Sequence, residues 1–101
     1  MDKKIGIIGA GGKMGNWFAN YFIKMGFEVT GYDSDNEIKG KSITKASSLI
    51  GAVLQNQYVF LCIPTKKTPE IVRLVSKEMK RDSCLVDISS QKSKTHAALL
   101  K

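Results

Sequence analysis

The chain is poor in the residues that make crosslinks, metal sites and membrane anchors. Its 101 residues include two cysteines, one histidine, two prolines and one tryptophan. Two cysteines without a C-x-x-C pair cannot form the disulfide framework of a small secreted domain. Cys62 and Cys84 each lie in an apolar run, and buried free thiols on neighbouring strands are the expectation. A single histidine excludes a His/Cys metal cluster. Long apolar runs are absent too. The longest, Tyr58–Ile63, is six residues, whereas crossing a ~30 Å hydrocarbon layer takes about 20. A membrane partner is therefore not expected. No apolar h-region with a small-residue cleavage site follows Met1-Asp2-Lys3-Lys4, so the expected location is cytoplasmic.

Acidic residues are also scarce. Nine Asp and Glu face 16 Lys and Arg, a net charge of +7. Such a field favours anionic partners, nucleotides and acidic metabolites among them. The cations are scattered, however. The densest group, Lys77, Lys80 and Arg81, falls at the end of a predicted helix, where positive charge complements the helix dipole. No nucleic-acid partner is expected from that pattern. Apolar residues at 43% and charged residues at 25% match an ordinary globular domain with a real core, and the length suits one domain.

Along the chain, short β-branched runs alternate with helical patterns. Lys4–Gly9 reads as a strand buried on both faces. A glycine-rich turn follows. Met14, Trp17, Phe18, Tyr21, Phe22 and Met25 then recur at helical spacing, with Gly26 placed to end the helix. Phe27–Tyr32 is a second strand ending at Asp33. Ser42–Thr44 can form a short strand, and Ser47 or Ser48 can cap a short helix through Leu54. Tyr58–Ile63 is a strand stopped by Pro64. Thr68-Pro69-Glu70 starts a helix with Thr68 as the capping hydroxyl and Ile71, Val72, Val75 and Met79 as the apolar face. Ser83–Ile88 is a further strand, and a helix is predicted from about Thr95. This alternation predicts an α/β fold: a doubly wound parallel sheet with right-handed crossovers and helices on both faces, a three-layer αβα arrangement of one domain over 1–101.

The turn reads Gly9-Ala10-Gly11-Gly12-Lys13-Met14-Gly15. The dinucleotide fingerprint G-x-G-x-x-G is met from Ala10 through Gly12 to Gly15, with Ala in the first position, so the turn carries one residue more than the common form. Small residues permit the tight turn. Gly12 lets backbone N–H groups approach a pyrophosphate, and Gly15 lets the helix pack against the sheet, its N-terminus favouring phosphate. The turn follows a strand, opens a helix and is followed by an acid, Asp33, at the end of the next strand, which is the context a Rossmann dinucleotide site requires. Asp33 would accept from the adenine ribose hydroxyls and favour NAD, and the neighbouring Ser34 offers no guanidinium for the 2′-phosphate of NADP, which stays possible. A Walker phosphate loop is excluded, because it needs glycine at Ile7 and a hydroxyl at Met14. Lys13 either lines the phosphates or is a solvated lysine.

Ligands of open α/β sheets bind at the carboxyl ends of strands. Cys62-Ile63-Pro64-Thr65, with Lys66, Lys67 and Thr68 behind it, either lays its backbone along the cofactor or is a plain strand stop. Asp87-Ile88-Ser89-Ser90-Gln91-Lys92 places hydroxyls and a cation beyond a strand, where nicotinamide and substrate would meet. On spacing alone it reads as a polar loop.

Together these residues resemble the N-terminal NAD(P)-binding domain of the prephenate and arogenate dehydrogenases. The likeness runs over nearly the whole chain. It rests on the turn with Met14-Gly15, on Asp33, on the strand ending at Pro64, and above all on Asp87-x-x-Ser90-x-Lys92. The resemblance implies oxidative decarboxylation of prephenate to 4-hydroxyphenylpyruvate in tyrosine biosynthesis, with NAD or NADP as hydride acceptor and a homodimer for the full-length enzyme. It implies that Ser90 hydrogen-bonds near the substrate hydroxyl and its catalytic histidine, and that Lys92 supports the loop or the anionic substrate. Cofactor contacts are implied for Gly9 to Gly15, Asp33, Ser34, Cys62, Ile63, Pro64, Thr68 and Ser89. The lone histidine, His96, does not match the family's catalytic position and is expected on a helix surface. The chain is therefore expected to hold the cofactor half of the enzyme without turnover of its own. The helical substrate and dimerisation domain is expected beyond it. Two other readings share the fold: a β-hydroxyacid dehydrogenase or imine reductase, and a nucleotide-sensing module without chemistry.

Overall fold

The computed structural model describes residues 4–54, 56–63, 65–79, 82–88 and 96–99. Pro64, Ser89, Ser90, Lys92 and Thr95, singled out above, lie outside them. Strand β1 (Lys4–Ile8) leads through the glycine turn into helix α1 (Lys13–Lys24) and strand β2 (Glu28–Tyr32). The two-residue β3 (Thr44–Lys45), α2 (Leu49–Leu54) and β4 (Tyr58–Leu61) follow. A single 3₁₀ turn over Thr65–Lys67 enters α3 (Thr68–Glu78), and β5 (Cys84–Asp87) and β6 (His96–Leu99) complete the described elements. The sheet order is β3-β2-β1-β4-β5-β6, parallel from β3 to β5. The predicted doubly wound α/β sheet is the fold observed.

The strands read as nearly continuous apolar runs because both faces of the sheet are covered. Ile5 and Ile7 of β1 join Val29 and Ala19 in one core beneath α1, with Phe18, Phe22 and Phe60 packed against it. Ile8, Val59, Leu61 and Leu85 join Val53 and Val75 in a second core beneath α2 and α3. Period-2 alternation along each strand sends neighbours to opposite cores. A fully buried side chain such as Ile7 or Leu61 contributes about 1.5–3 kcal/mol relative to solvent exposure.

Local signals placed the ends well. Gly26 takes φ +94 after α1, and Phe27 N–H donates to Phe22 O at 3.0 Å while Gly26 N–H donates to Ile23 O at 3.0 Å. That pair is a Schellman ending, which a left-handed glycine makes inexpensive. Ser48 Oγ accepts from Gly51 N–H at 3.0 Å and caps α2.

Three expectations are corrected. The buried stripe of α1 is centred on Gly15 and Ala19, with Phe18, Phe22 and Ile23 beside them. Trp17, Tyr21 and Met25 sit on its outer flank, Trp17 60% exposed, because the small residues draw the helix onto the sheet and rotate the larger ones to the rim. Thr68 does not cap α3: it is the first helical residue, and the cap position belongs to Lys67, whose side chain makes no capping bond. His96–Leu99 is a strand, antiparallel to β5 with His96 opposite Asp87. The helix preference of Ala97, Ala98 and Leu99 gives way to the ladder that the open edge of β5 offers.

Candidate functional site

The glycine turn is tied down by its own backbone. Gly9 and Ala10 both donate to Tyr32 O, at 2.7 and 3.1 Å, which joins the end of β1 to the end of β2. Gly12 N–H donates back to Gly9 O at 3.2 Å and begins α1, and Gly12 O accepts the first helical bond from Asn16 at 2.9 Å. No side chain caps the helix and its first turn holds no acid. Among the described residues, its leading N–H groups and positive end therefore meet no capping side chain and no first-turn acid.

The glycines divide into two kinds. A Cβ at Gly9 would fall on the Cys62 carbonyl, and one at Gly15 on the Gly9 carbonyl. One at Gly11 would lie 2.6 Å from Asn36 O. These three are required by packing. Gly12 is not: its φ −80 and ψ 171 suit any residue, and a Cβ there would meet nothing nearer than Gly9 O at 3.6 Å. Glycine suits this N-cap position, and it leaves the space in front of the helix start clear.

Gly12 borders a crevice of about 300 Å³ at the carboxyl ends of β1, β2 and β4. Of the predicted site residues, the structure brings Gly9, Gly12, Asp33, Ser34, Cys62 and Ile63 to its walls. Gly11 and Lys13 instead line a more open groove of about 550 Å³ on the outer face of α1, beside Trp17 and Tyr21. Ala10 is fully buried in the core beneath α1. Met14, Gly15 and Thr68 line neither cavity. The smaller crevice, at the strand ends, is the site where an open α/β sheet takes a ligand. Sequence reasoning missed Asp35, Asn36, Leu49, Lys67 and Ile71 on its walls. The signal for the first pair was present in Asp33-Ser34-Asp35-Asn36, a loop whose leading aspartate can bond its own following backbone.

Asp33 does so. Its Oδ1 accepts from Asp35 N–H at 2.9 Å and Asn36 N–H at 2.8 Å, and its Oδ2 accepts from Gly11 N–H at 2.9 Å. One carboxylate thus fastens the glycine turn to the loop after β2. Opposite, Lys67 Nζ lies 3.4 Å from Asp35 Oδ2 across the mouth of the crevice. The thiol of Cys62, on the inner wall, is pushed up to about 12, first by burial and then by the charge of Asp87. It holds its proton at neutral pH. Cys62 and Cys84 are both free and partly buried. Among the described residues no group of His, Cys, Asp and Glu is arranged to hold a metal ion, and no helix is long and apolar enough to cross a membrane.

Residues 4–101 match the family described as the NAD binding domain of 6-phosphogluconate dehydrogenase. Over 94 residues, 87% of the chain, the sequence is 31% identical to a probable arogenate/prephenate dehydrogenase of Methanocaldococcus jannaschii. Among solved structures, 3-hydroxyisobutyrate dehydrogenase of Mycobacterium tuberculosis superposes with a TM-score of 0.76 at 18% identity over 89% of the chain. Prephenate dehydrogenase of A. aeolicus, solved with hydroxyphenyl propionate and NAD+, gives 0.70 at 25% identity over 93% of the chain. The chain spans 21% of the length of the M. jannaschii protein and 32% and 35% of the two solved chains.

Proposed function

Because the chain belongs to the family of the NAD binding domain of 6-phosphogluconate dehydrogenase, we propose that the crevice beside Gly12 seats the dinucleotide and that the domain serves a prephenate or arogenate dehydrogenase. The observation that carries the cofactor site is the open face of Gly12, a space the fold leaves clear at the uncapped start of α1. A pyrophosphate there meets the first-turn N–H groups of Lys13, Met14 and Gly15. Asp33 and Ser34 face the adenine ribose. Leu49, Ile63 and Ile71 supply the apolar wall that an adenine ring needs.

A bound nicotinamide would supply the hydride acceptor for the substrate carbon. The protein's own part is to hold, orient and shield. Cys62, protonated and neutral, adds no charge to the inner wall and takes no proton from the substrate. Ser89 is proposed at the nicotinamide end with Pro64, Ser90 beside the substrate hydroxyl, and Lys92 as the support of that loop. The whole reaction belongs to a longer protein of which this domain is the cofactor half.

The substrate reading is supported by the likeness to the M. jannaschii and A. aeolicus proteins. The rival reading, a hydroxyacid dehydrogenase, is favoured by the closer superposition on the 3-hydroxyisobutyrate enzyme. The full-length protein, given NAD+ or NADP+, is to be assayed for nucleotide reduction with prephenate, arogenate and a panel of 2- and 3-hydroxyacids. Turnover of prephenate or arogenate is expected. Turnover of a hydroxyacid with neither of these would overturn the substrate reading and leave the cofactor site standing.

A further inference from the structure

We propose that Lys67 reads the substituent at the 2′ position of the adenine ribose, so that this residue, and not Asp33, sets how well the domain takes a 2′-phosphorylated dinucleotide. The proposal rests on the dinucleotide reading above and adds a specificity residue to it. Asp33 sits where an acid would repel a 2′-phosphate, but its carboxylate already accepts three backbone N–H bonds. A carboxylate offers about four acceptor positions. One remains for a ribose hydroxyl, and the three N–H dipoles offset much of its negative field. Its main role is to fix the loop, and in doing so it fixes Asp35.

Asp35 faces Lys67 across the mouth of the crevice at 3.4 Å, with side chains 68% and 55% exposed. So exposed a pair contributes only about 0–1 kcal/mol. It is a contact that a better anion displaces. Lys67 is the one cation among the described residues lining this crevice, and Ser34 and Asn36 beside it supply neutral hydrogen-bonding groups. A phosphate dianion carries more charge than one carboxylate and three acceptor oxygens. A 2′-phosphate entering here exchanges with Asp35 for the Lys67 ammonium. A 2′-hydroxyl leaves the pair in place. The domain therefore accepts both dinucleotides, and the Asp35–Lys67 pair sets the ratio of their affinities.

The test is equilibrium titration of NADH and NADPH by fluorescence into the wild-type protein, Lys67→Gln and Asp35→Asn. Wild type is expected to bind both. Lys67→Gln should weaken NADPH by about tenfold or more, the worth of a charged hydrogen bond, and so lower the NADPH:NADH affinity ratio by about that factor. Asp35→Asn, which frees the ammonium, should tighten NADPH and move the ratio the opposite way. The NADPH affinity of wild type should also fall more steeply with salt than that of Lys67→Gln. An NADPH:NADH ratio that is the same in wild type and Lys67→Gln overturns the proposal while leaving the dinucleotide site intact. Failure of wild type to bind NADH at all overturns the site itself, and this proposal with it.

Discussion

Replacing Gly12 by alanine separates the demands of the fold from those of a ligand. The backbone at Gly12 is extended, φ −80 and ψ 171, so alanine introduces no strain. The added methyl would touch only Gly9 O at 3.6 Å, an ordinary contact. Alanine at a compatible glycine position stabilises by about 0.4–1 kcal/mol through the unfolded chain, and its poorer fit to the N-cap of α1 offsets a gain of that size, so the variant should unfold close to the wild-type temperature. The same methyl occupies the space through which a pyrophosphate reaches the first turn of α1. Losing one charge-assisted N–H bond costs about 1.5–3 kcal/mol, or roughly 10- to 150-fold in dissociation constant. Circular dichroism melts and NADH titrations on one preparation read both quantities. Gly15→Ala is the contrast, since its methyl would collide with the Gly9 carbonyl and should lower the melting temperature first. A Gly12→Ala protein that is as stable as wild type and binds NADH equally well would refute the reasoning, because the open face of Gly12 would then be empty for no functional reason.

Two further outcomes follow from the same geometry. Asp33→Asn keeps one acceptor oxygen but turns an N–H₂ toward backbone N–H groups, so both loop anchorage and ribose contact weaken. A stability loss of about 1–3 kcal/mol with a parallel fall in NADH affinity is expected, and an unchanged urea midpoint would show that the three bonds do not hold the loop. The Cys62 thiol titrates near 9.0 when unperturbed and at about 12 in the folded protein. The native state therefore keeps a proton that the unfolded chain releases, and stability is fully present below pH 9 and lost as pH climbs toward 12. Denaturation curves across that interval should show the decline for wild type and a shallower one for Cys62→Ala. Equal slopes would remove Cys62 as its source.

How far the sequence carried depended on the range of the forces involved. The strand–turn–helix–strand run from Lys4 to Asp33 was legible because each boundary has a local cause: a β-branched run, a glycine turn, a helical period, a left-handed Gly26. The outer flank of α1 was not, since Trp17 and Phe18 are alike in hydrophobicity and only the approach allowed by Gly15 and Ala19 decides which is buried. The strand at His96–Leu99 was hidden for a related reason: its pairing is settled by the free edge of β5, not by its own residues. The near wall of the crevice, Gly9, Gly12, Asp33 and Ser34, follows the fingerprint. The far wall does not, because Lys67, Ile71 and Leu49 come from turns and helices that only the sheet order brings opposite.

Trp17 is the chain's single tryptophan; its ring is stacked on Tyr21 at 5.4 Å and borders the groove of about 550 Å³ on the outer face of α1, which Gly12 lines as well as the crevice. All indole emission therefore originates at one known place, beside the start of α1. Reduced nicotinamide absorbs where indole emits, so a nucleotide seated along the turn would quench this light by energy transfer without any label. Because the residue is already 60% exposed in the folded state, unfolding should shift its colour less than it would for a buried indole. The domain thus carries an optical gauge that responds to occupancy more than to folding.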